Sequence, residues 1–314
     1  MKKNKALIEF NGLVTEFHTD GSTVRAVDNI SFTLNKGETI GVVGESGSGK
    51  SVTSLSAMRL VPSPPGKISS GEIIFHKNES KSVNLLSLSE EKMRSYRGND
   101  LAMIFQEPMT SLNPVFTCGN QVVEAIMLHQ KLNAKEAKDL AIDLFKKVEL
   151  PDPDRIFSTY PHQISGGQKQ RVMIAMAMSC KPSVLIADEP TTALDVTVQK
   201  TILELMQDLQ KEYEMGIIFI THDLGVIAEL ADKVVVMYKG KIVEQGNVWD
   251  IFTKPKHPYT KGLLACRPPL NKRYKFLPTV SDFMQVDSSG NVIDNKISVE
   301  DFTKKIIVSE KERK

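Results

Sequence analysis

One short segment has the residue types and spacing of a phosphate-binding loop. An apolar stretch, residues 39–43, precedes it, and a helix-forming stretch, residues 52–60, follows it. In a loop between a strand and a helix, backbone N–H groups surround phosphates, and the helix N-terminus adds donors and a favourable dipole. We assign Lys50 to the β- and γ-phosphates and the Ser51 hydroxyl to Mg²⁺. The pattern G-x-x-x-x-G-K-[ST] is matched by Gly44, Glu45, Ser46, Gly47, Ser48, Gly49, Lys50 and Ser51.

A second segment could also bind phosphate. It consists of Ser165, Gly166, Gly167 and Gln168, followed by a predicted helix over residues 168–180 with Ser165 as its N-cap. A helix start has free N–H groups, and the two glycines permit a close approach by an anion. One chain cannot easily use both segments on the same triphosphate.

An acidic pair follows a continuously apolar strand, residues 183–187. Asp188 lies where that strand ends, and this edge of a parallel sheet is a usual place for a carboxylate that holds hydrated Mg²⁺. Glu189 comes next, so its side chain points elsewhere and can polarise a water that attacks the γ-phosphate. An acidic pair by itself would be interpreted as two solvated loop residues. The phosphate loop in the same chain favours the catalytic interpretation.

Length, composition and charge are those of an ordinary globular protein. The 314 residues predict one large or two modest domains, and 41% are hydrophobic and 25% charged. A net charge of +2 gives no argument for a nucleic-acid partner. The three cysteines are far apart, which predicts neither a disulfide framework nor a cysteine metal site. We expect no signal peptide and no membrane span, since no run of ~18 uncharged apolar residues occurs.

The order of predicted strands and helices indicates an α/β protein. Residues 113–180 read as mainly helical, with an apolar stripe along 134–150 and with Pro151, Pro153 and Pro161 as helix breakers. After residue 180, uninterrupted apolar strands alternate with helices, which predicts a parallel sheet covered on both faces. The predicted strands are 6–10, 13–17, 31–34, 39–43, a pair at 71–75 and 101–105, then 183–187, 216–221, 233–238 and 242–244, and the later helices are 196–213 and 224–230.

These motifs, in this order, resemble the nucleotide-binding subunit of an ABC transporter over residues 6–265. The resemblance implies an ABC-type P-loop NTPase of the α/β class. Such a fold has a mixed, mostly parallel sheet core, an antiparallel β subdomain and a helical subdomain, here at about residues 113–180. It places a nucleotide-binding domain at residues 1–265 and a C-terminal appendage, partly mobile, at 266–314. The matching motifs are 44–51, Gln106 within 104–108, 164–168, 184–189, 193–195, His222 within 220–223, and the upstream aromatic residue Phe17.

The resemblance assigns a role to each motif. Gln106 would sense the γ-phosphate and Mg²⁺, and would link the site to the transporter. His222 would contact the γ-phosphate and orient the attacking water. Phe17 would stack on adenine, although an aromatic residue in a strand is more often part of the core. The implied sets are Lys50, Gln106, Glu189 and His222 for catalysis, Ser51, Gln106 and Asp188 for Mg²⁺, and Phe17, residues 44–51, Ser165, Gly166, Gly167, Gln168 and Asp195 for ATP.

The resemblance also implies an assembly. Two such chains would pair head to tail, with each ATP between the phosphate loop of one chain and the Ser165 segment of the other. Closure of the pair on ATP and opening after hydrolysis would supply the mechanical stroke. A heterodimer with a second ATP-binding subunit is expected, and a homodimer is possible.

Two segments resemble the di- and oligopeptide importer branch, which has close relatives for nickel and other small solutes. They are residues 106–114 and residues 257–264, and we expect no chemical role for the second. This branch implies two permease subunits in the membrane, an extracytoplasmic solute-binding protein as an indirect partner, and a peripheral position on the cytoplasmic face of the membrane. The permeases' cytoplasmic helices would dock on the surface around residues 106–114 and on the helical region that follows. An iron–sulfur cluster of the kind some relatives carry cannot form from this chain alone, because only Cys266 lies beyond residue 180.

Two other classes compete with the transport ATPase. A soluble ABC ATPase acting on DNA or ribosomes usually has two cassettes, a coiled-coil insertion or zinc-binding cysteines, and this chain has none of these. A regulatory subunit that binds ATP without cleaving it would be indicated by an altered glutamate or histidine, but Glu189 and His222 are both present. The role of residues 266–314 stays open between a regulatory appendage, a dimer contact and a linker to a second cassette.

Overall fold

Two sheets and a group of helices position the candidate residues. The structure, a computed structural model, describes residues 5–19, 21–78, 80–106, 111–192, 194–266, 278–287 and 292–299. The strands are β1 Ala6–Thr19, β2 Ser22–Asn35, β3 Thr39–Val43, β4 Gly66–Asn78, β5 Lys81–Asn84, β6 Leu101–Ile104, β7 Val184–Asp188, β8 Gly216–Ile220, β9 Lys233–Tyr238, β10 Lys241–Asn247, β11 Met284–Val286 and β12 Val292–Asp294. The helices are α1 Lys50–Ala57, α2 Glu90–Tyr96, α3 Cys118–His129, α4 Ala134–Lys147, α5 Pro153–Phe157, α6 Gly166–Met178, α7 Val196–Tyr213, α8 Leu224–Leu230, α9 Val248–Thr253, α10 Pro258–Ala265 and α11 Val280–Phe283, with 3₁₀ turns at Leu85–Ser87 and Pro161–Gln163.

The first sheet is antiparallel, with strand order β2-β1-β4-β5. The sequence pattern predicted two strands, 6–10 and 13–17, but a single strand β1 covers both. At Gly12 the backbone has φ 61°, and the pairing with β2 shifts between Phe10 and Leu13. This is a bulge, which bends a strand without ending it.

The second sheet has the strand order β10-β9-β3-β8-β7-β6. The strands from β9 to β6 are parallel, and β10 is joined to β9 as an antiparallel hairpin, as predicted. Alternate residues of these strands enter different cores: Ile186 packs with the antiparallel sheet and α1, and Leu185 with the helices. The predicted α/β fold, with a parallel sheet covered on both faces, is therefore confirmed.

The predicted pairing of residues 71–75 with residues 101–105 is wrong. The first segment lies in β4, between β1 and β5 of the antiparallel sheet. The second forms β6, which pairs in parallel with β7 at the edge of the other sheet. Within β6, Leu101, Ala102 and Ile104 are buried, as suits a strand covered on both faces, whereas β4 is exposed over much of its length.

The region of residues 113–180 is helical, as predicted. The apolar stripe of α4 is buried, with Ala137, Ala141 and Phe145 fully covered. Asn133 caps α4 through a capping box with Glu136. The helix predicted at 168–180 instead begins at Gly166 and ends at Met178, and the one predicted at 52–60 begins at Lys50 and ends at Ala57.

The last described part of the chain packs on α10. A Cβ built at Gly262 would lie 2.9 Å from the Cα of Val280, so only a glycine permits this approach. Phe283 is fully buried, and Lys261 forms an ion pair with Asp294 at 3.1 Å. The predicted appendage is thus attached to α10, while its residues 267–277, 288–291 and 300–314 lie outside the described residues. Among the described residues, no helix is both long enough and apolar enough to cross a membrane.

Candidate nucleotide site at the edge of the parallel sheet

The loop of residues 44–51 connects β3 to α1, as predicted. Its back packs directly against other backbone segments, which leaves no room for side chains at two of its glycines. A Cβ at Gly44 would lie 2.2 Å from the Met237 carbonyl oxygen, and one at Gly49 would lie 2.3 Å from that of Ala26. The Gly240 N–H also donates to the Ser48 carbonyl at 3.0 Å. The end of β9 and the strand β2 therefore fix the shape of the loop.

Lys50 begins α1, and its ammonium group returns to the start of the loop. Its Nζ donates to the carbonyl oxygen of Gly44 at 2.8 Å and to that of Glu45 at 2.9 Å. Burial lowers the pKa of Lys50, while the nearby carboxylates of Glu189 and Asp188 act in the opposite direction. A cation with so little water around it interacts strongly with any phosphate placed in the loop.

Ser51 and Asp188 offer a pair of oxygen ligands. The Ser51 hydroxyl donates to Asp188 Oδ1 at 3.1 Å, at the end of β7. Asp188 is 3% exposed, and burial raises its pKa, because its ionised form is poorly solvated. A hydroxyl and a carboxylate are the hard oxygen ligands that Mg²⁺ prefers, and a cation would offset the cost of the buried negative charge. These residues therefore fit the predicted Mg²⁺ site.

Glu189 is directed away from Asp188 by its backbone. Its φ of 47° lies in the left-handed region, which L-residues rarely adopt, and its N–H donates to the Ile220 carbonyl at 2.8 Å. The carboxylate accepts from the Thr192 hydroxyl at 3.0 Å and from Gln106 Nε2 at 3.4 Å. His222 Nδ1 lies 3.4 Å from its other oxygen. Residues that follow three neighbouring strands, β6, β7 and β8, thus meet at one carboxylate.

Gln106 and His222 lie at the open side of this group. Gln106 is exposed, and the His222 side chain is 65% exposed, against 15% for Glu189. The carboxylate is therefore shielded from bulk water while its two neighbours can reach a ligand. The structure brings together six predicted residues, namely Lys50, Ser51, Gln106, Asp188, Glu189 and His222, and their catalytic and metal-binding roles stay predictions.

The Ser165 segment lies elsewhere, at the start of α6. The Ser165 hydroxyl accepts from the Gln168 N–H at 3.3 Å, and the Gln168 side chain accepts from the Ser165 N–H at 2.9 Å. The predicted N-cap is thus confirmed, as a capping box. A Cβ at Gly167 would lie 2.7 Å from Val198 in α7, and Asp195 caps that helix by accepting from the Val198 N–H at 2.9 Å. The segment and Asp195 therefore form one surface at two helix starts; Ala193 lies outside the described residues.

Phe17 is half-buried in β1, opposite Val24 of β2 and Gly66 of β4. Its ring is in close contact with Gly66, since a Cβ built there would lie 3.0 Å from Phe17 Cε1. This contact is the packing expected of a strand aromatic residue. Stacking on adenine stays a prediction.

One residue at the loop was missed by the sequence analysis. Tyr259, in the segment expected to have no chemical role, accepts a hydrogen bond from the Glu45 N–H at 2.9 Å. Its side chain is fully buried, and its ring lies 4.4 Å from that of Tyr238. Burial raises the pKa of Tyr259 to about 12, which keeps the hydroxyl neutral. No local pattern could have found this contact, because 214 residues separate the two partners.

The fold and this site define a P-loop nucleotide-binding protein of the α/β class. The family model described as "ABC transporter" matches residues 27–192, so the chain belongs to the ABC transporter family. A second model, described as "Oligopeptide/dipeptide transporter, C-terminal region", matches residues 243–286. The interpretation of residues 257–264 as a sign of the peptide importer branch is therefore confirmed.

Curated relatives carry import-related names. The chain is 48% identical over 296 residues to the glutathione import ATP-binding protein GsiA of Pectobacterium atrosepticum, covering 94% of this chain and 47% of that protein. It is 52% identical over 264 residues to a putative peptide import ATP-binding protein of Brucella melitensis, covering 84% of this chain and 78% of that protein. The chain thus spans about half the length of the GsiA proteins that it matches.

Solved structures show the same fold. A dimeric structure of MJ0796, described as a bacterial ABC transporter cassette, superposes with a TM-score of 0.68 at 25% identity, covering 77% of this chain and 99% of that chain. The structure of cbiO1 from Clostridium perfringens, described as part of the ABC transporter complex cbiONQ, gives a TM-score of 0.65 at 26% identity, covering 80% and 92%.

Proposed function

We propose that this chain is the ATP-hydrolysing subunit of an ABC importer that takes up di- or oligopeptides. One observation carries the hydrolysis part of this proposal. The Glu189 carboxylate, shielded and hydrogen-bonded by Thr192 and Gln106, lies beside the Ser51–Asp188 pair at the end of the phosphate loop. This arrangement supplies a base for water next to a place for a metal-bound triphosphate.

The proposed chemistry is attack of water on the γ-phosphate of ATP. Lys50 and the loop N–H groups bind the phosphates, and Glu189 accepts the proton of the attacking water. The bond from the γ-phosphorus to the bridging oxygen breaks, and ADP leaves with the electron pair. His222 and Gln106 contact the Glu189 carboxylate and orient it and the water. Ser51, Asp188 and Gln106 would hold Mg²⁺, which neutralises charge on the phosphates.

The Ser165 segment supports a head-to-tail dimer. It belongs to a helix start distinct from the phosphate loop, and the first two residues of that helix are glycines. In the dimer this N-terminus would complete the nucleotide site of a second ATP-binding subunit, together with Asp195. A heterodimer is our preferred assembly, and a homodimer is the alternative.

A groove beside Gln106 supports docking of two permease subunits. It lies between the end of β6 and the helices α3 and α6, and it is lined by Phe105, His129, Met173 and Met176 among others. Phe105 is 41% exposed there although it is large and apolar. Docking of a cytoplasmic permease helix in this groove would touch the residue next to Gln106 and so couple transport to the site. The chain would then lie peripherally on the cytoplasmic face of the membrane, with a solute-binding protein as an indirect partner.

The names of relatives support a peptide as the solute. Glutathione is itself a tripeptide, and the Brucella relative is named for peptide import. Nickel or another small solute is the alternative. Competition of unlabelled di- and tripeptides, glutathione and Ni²⁺ for labelled peptide uptake by cells that contain the chain would separate these solutes.

The test of the whole proposal is affinity purification of the tagged chain from detergent-solubilised membranes. We expect two polytopic permeases and a second cassette protein to accompany it, and expect ATP hydrolysis that a Lys50→Ala variant lacks. Recovery of the chain alone in the soluble fraction, with full ATPase activity, would support a non-transport ABC ATPase instead. ATP binding without hydrolysis would support a regulatory subunit.

A further inference from the structure

The peptide group between Gly44 and Glu45 is held at both ends. Its carbonyl oxygen, on Gly44, accepts from Lys50 Nζ at 2.8 Å. Its N–H, on Glu45, donates to the Tyr259 hydroxyl at 2.9 Å. Because a peptide group is planar, fixing the direction of the N–H also fixes the direction of the carbonyl. The hydroxyl of Tyr259 therefore sets the orientation of a group that holds the phosphate-binding lysine.

From this geometry we propose that Tyr259 is a positioning residue for the nucleotide site, through which α10 and the segment behind it hold the phosphate loop in its binding conformation. The inference rests on the proposed function only in that the loop binds ATP. It assigns a role to a residue that does not itself reach the phosphates.

The surroundings of Tyr259 suit such a role. Its ring lies 4.4 Å from that of Tyr238, which ends β9 just after Met237, the residue whose carbonyl packs on Gly44. The hydroxyl is thus fixed by the same strand that supports the back of the loop. Tyr259 is fully buried, and its hydroxyl is the protein partner that fixes the direction of the Glu45 N–H. Loss of the hydroxyl would remove this protein partner and leave the direction of the N–H unrestrained.

The helix α10 also connects Tyr259 to the described residues that follow it, 278–287 and 292–299. Gly262, one turn after Tyr259, is in close contact with Val280, and Lys261 pairs with Asp294. Movement of residues 278–287 and 292–299 would therefore shift α10 and with it the tyrosine hydroxyl. This gives the C-terminal segment a route to the nucleotide site.

The test compares two variants that each remove one hydroxyl from the stacked pair. Tyr259→Phe keeps the buried ring and loses the acceptor for Glu45, whereas Tyr238→Phe keeps the stack and leaves the loop contact intact. The full chain is titrated with a fluorescent ATP analogue and Mg²⁺, and steady-state hydrolysis gives kcat and KM. We expect Tyr259→Phe to raise Kd and KM about threefold to tenfold, the usual effect of one hydrogen bond, with kcat within about twofold of the parent. Tyr238→Phe should bind like the parent.

Equal affinities of Tyr259→Phe and Tyr238→Phe would overturn the positioning role. A purely structural role would lower the unfolding temperature of Tyr259→Phe without changing Kd or KM, and this result would also overturn it. Hydrogen–deuterium exchange of the unmodified chain gives a second measurement: the Glu45 amide should exchange slowly, and exchange at the rate of an open loop would contradict the contact.

The link to the C-terminal segment has its own test. Gly262→Leu pushes Val280 away from α10, and we expect it to raise KM in the parent but to add little in the Tyr259→Phe background. Equal effects in both backgrounds would overturn this link. If the unmodified chain binds the analogue but does not hydrolyse ATP, the proposed function fails, while the comparison of Kd values still decides the role of Tyr259.

Discussion

Replacement of Glu189 by glutamine tests the assignment of the base most directly. The amide has the same size as the carboxylate, and its oxygen can still accept from the Thr192 hydroxyl, which lies 3.0 Å from Glu189 Oε2. The left-handed backbone at this position, with φ 47°, is unaffected by the change. The variant should therefore fold and bind ATP as before, and it should lose only the ability to take a proton.

The expected loss of turnover follows from that single deficit. General-base catalysis contributes about 10²- to 10⁴-fold, which corresponds to roughly 3–5 kcal/mol of the barrier at 1.36 kcal/mol per tenfold. The Glu189 side chain is 15% exposed, and its neighbours are Gln106 and His222. In the glutamine variant, no other carboxylate among the described residues is equally placed to take the proton of the attacking water. We expect at least a 100-fold fall in turnover, with ATP affinity within about threefold of the parent and an accumulated ATP-bound dimer.

The assay is steady-state phosphate release, combined with size-exclusion chromatography in ATP and Mg²⁺. Glu214→Gln is a matched control, because Glu214 also has a left-handed backbone, with φ 49°, but its side chain is exposed and pairs with Lys36. The control should retain the parent turnover and show no trapped dimer. Turnover of Glu189→Gln within threefold of the parent would refute the assignment of Glu189 as the base.

Three further predictions concern the metal ligand, the second helix start and the adenine contact. Burial raises the pKa of Asp188, so its ionised form lowers the free energy of unfolding at every pH above that raised pKa. Asp188→Asn should therefore raise Tm at neutral pH in the absence of nucleotide and lower turnover at least about 100-fold. The gain in Tm should disappear as the pH falls through the raised pKa. A lower Tm of the variant at neutral pH would contradict this. Ser165→Ala and Asn133→Ala each remove the N-cap of a capping box, and each should lower the free energy of unfolding by about 1 kcal/mol, measured by thermal unfolding. Only Ser165→Ala should reduce the ATP-dependent dimer in size-exclusion chromatography. Equal dimer formation by these two variants would argue against a role of the Ser165 segment in the interface. Phe17→Leu keeps an apolar contact with Gly66 but removes the ring, so it should weaken ATP binding roughly fivefold or more and leave inorganic triphosphate binding unchanged in calorimetric titrations. An equal loss for both ligands would show that Phe17 acts through packing and not through the base.

The sequence predicted the features that depend on neighbouring residues. The helix at Val196–Tyr213 and the strand at Lys233–Tyr238 have the predicted bounds, because caps, apolar periodicity and turn residues lie within a few positions of each other. Ser165 was identified as an N-cap for the same reason. The phosphate loop followed from its spacing and from the apolar stretch and helix-forming stretch on either side, since glycines, a lysine and a hydroxyl in that order serve one local conformation.

Sheet membership and the second half of the site required the tertiary structure. The apolar segments 71–75 and 101–105 look alike as sequence, but one entered the antiparallel sheet and the other the edge of the parallel sheet. Strand propensity describes a residue's fit to a pleated surface and carries no information about which strand it will pair with.

The order of motifs predicted which residues form the site, and the tertiary structure decided how they meet. The left-handed backbone of Glu189 turns its carboxylate toward Gln106 and His222, and its N–H is bonded to the Ile220 carbonyl on the neighbouring strand. Tyr259 reaches the Glu45 amide only because α10 packs behind the phosphate loop. Contacts between residues that are distant in the chain depend on how whole elements pack, so no local pattern encodes them.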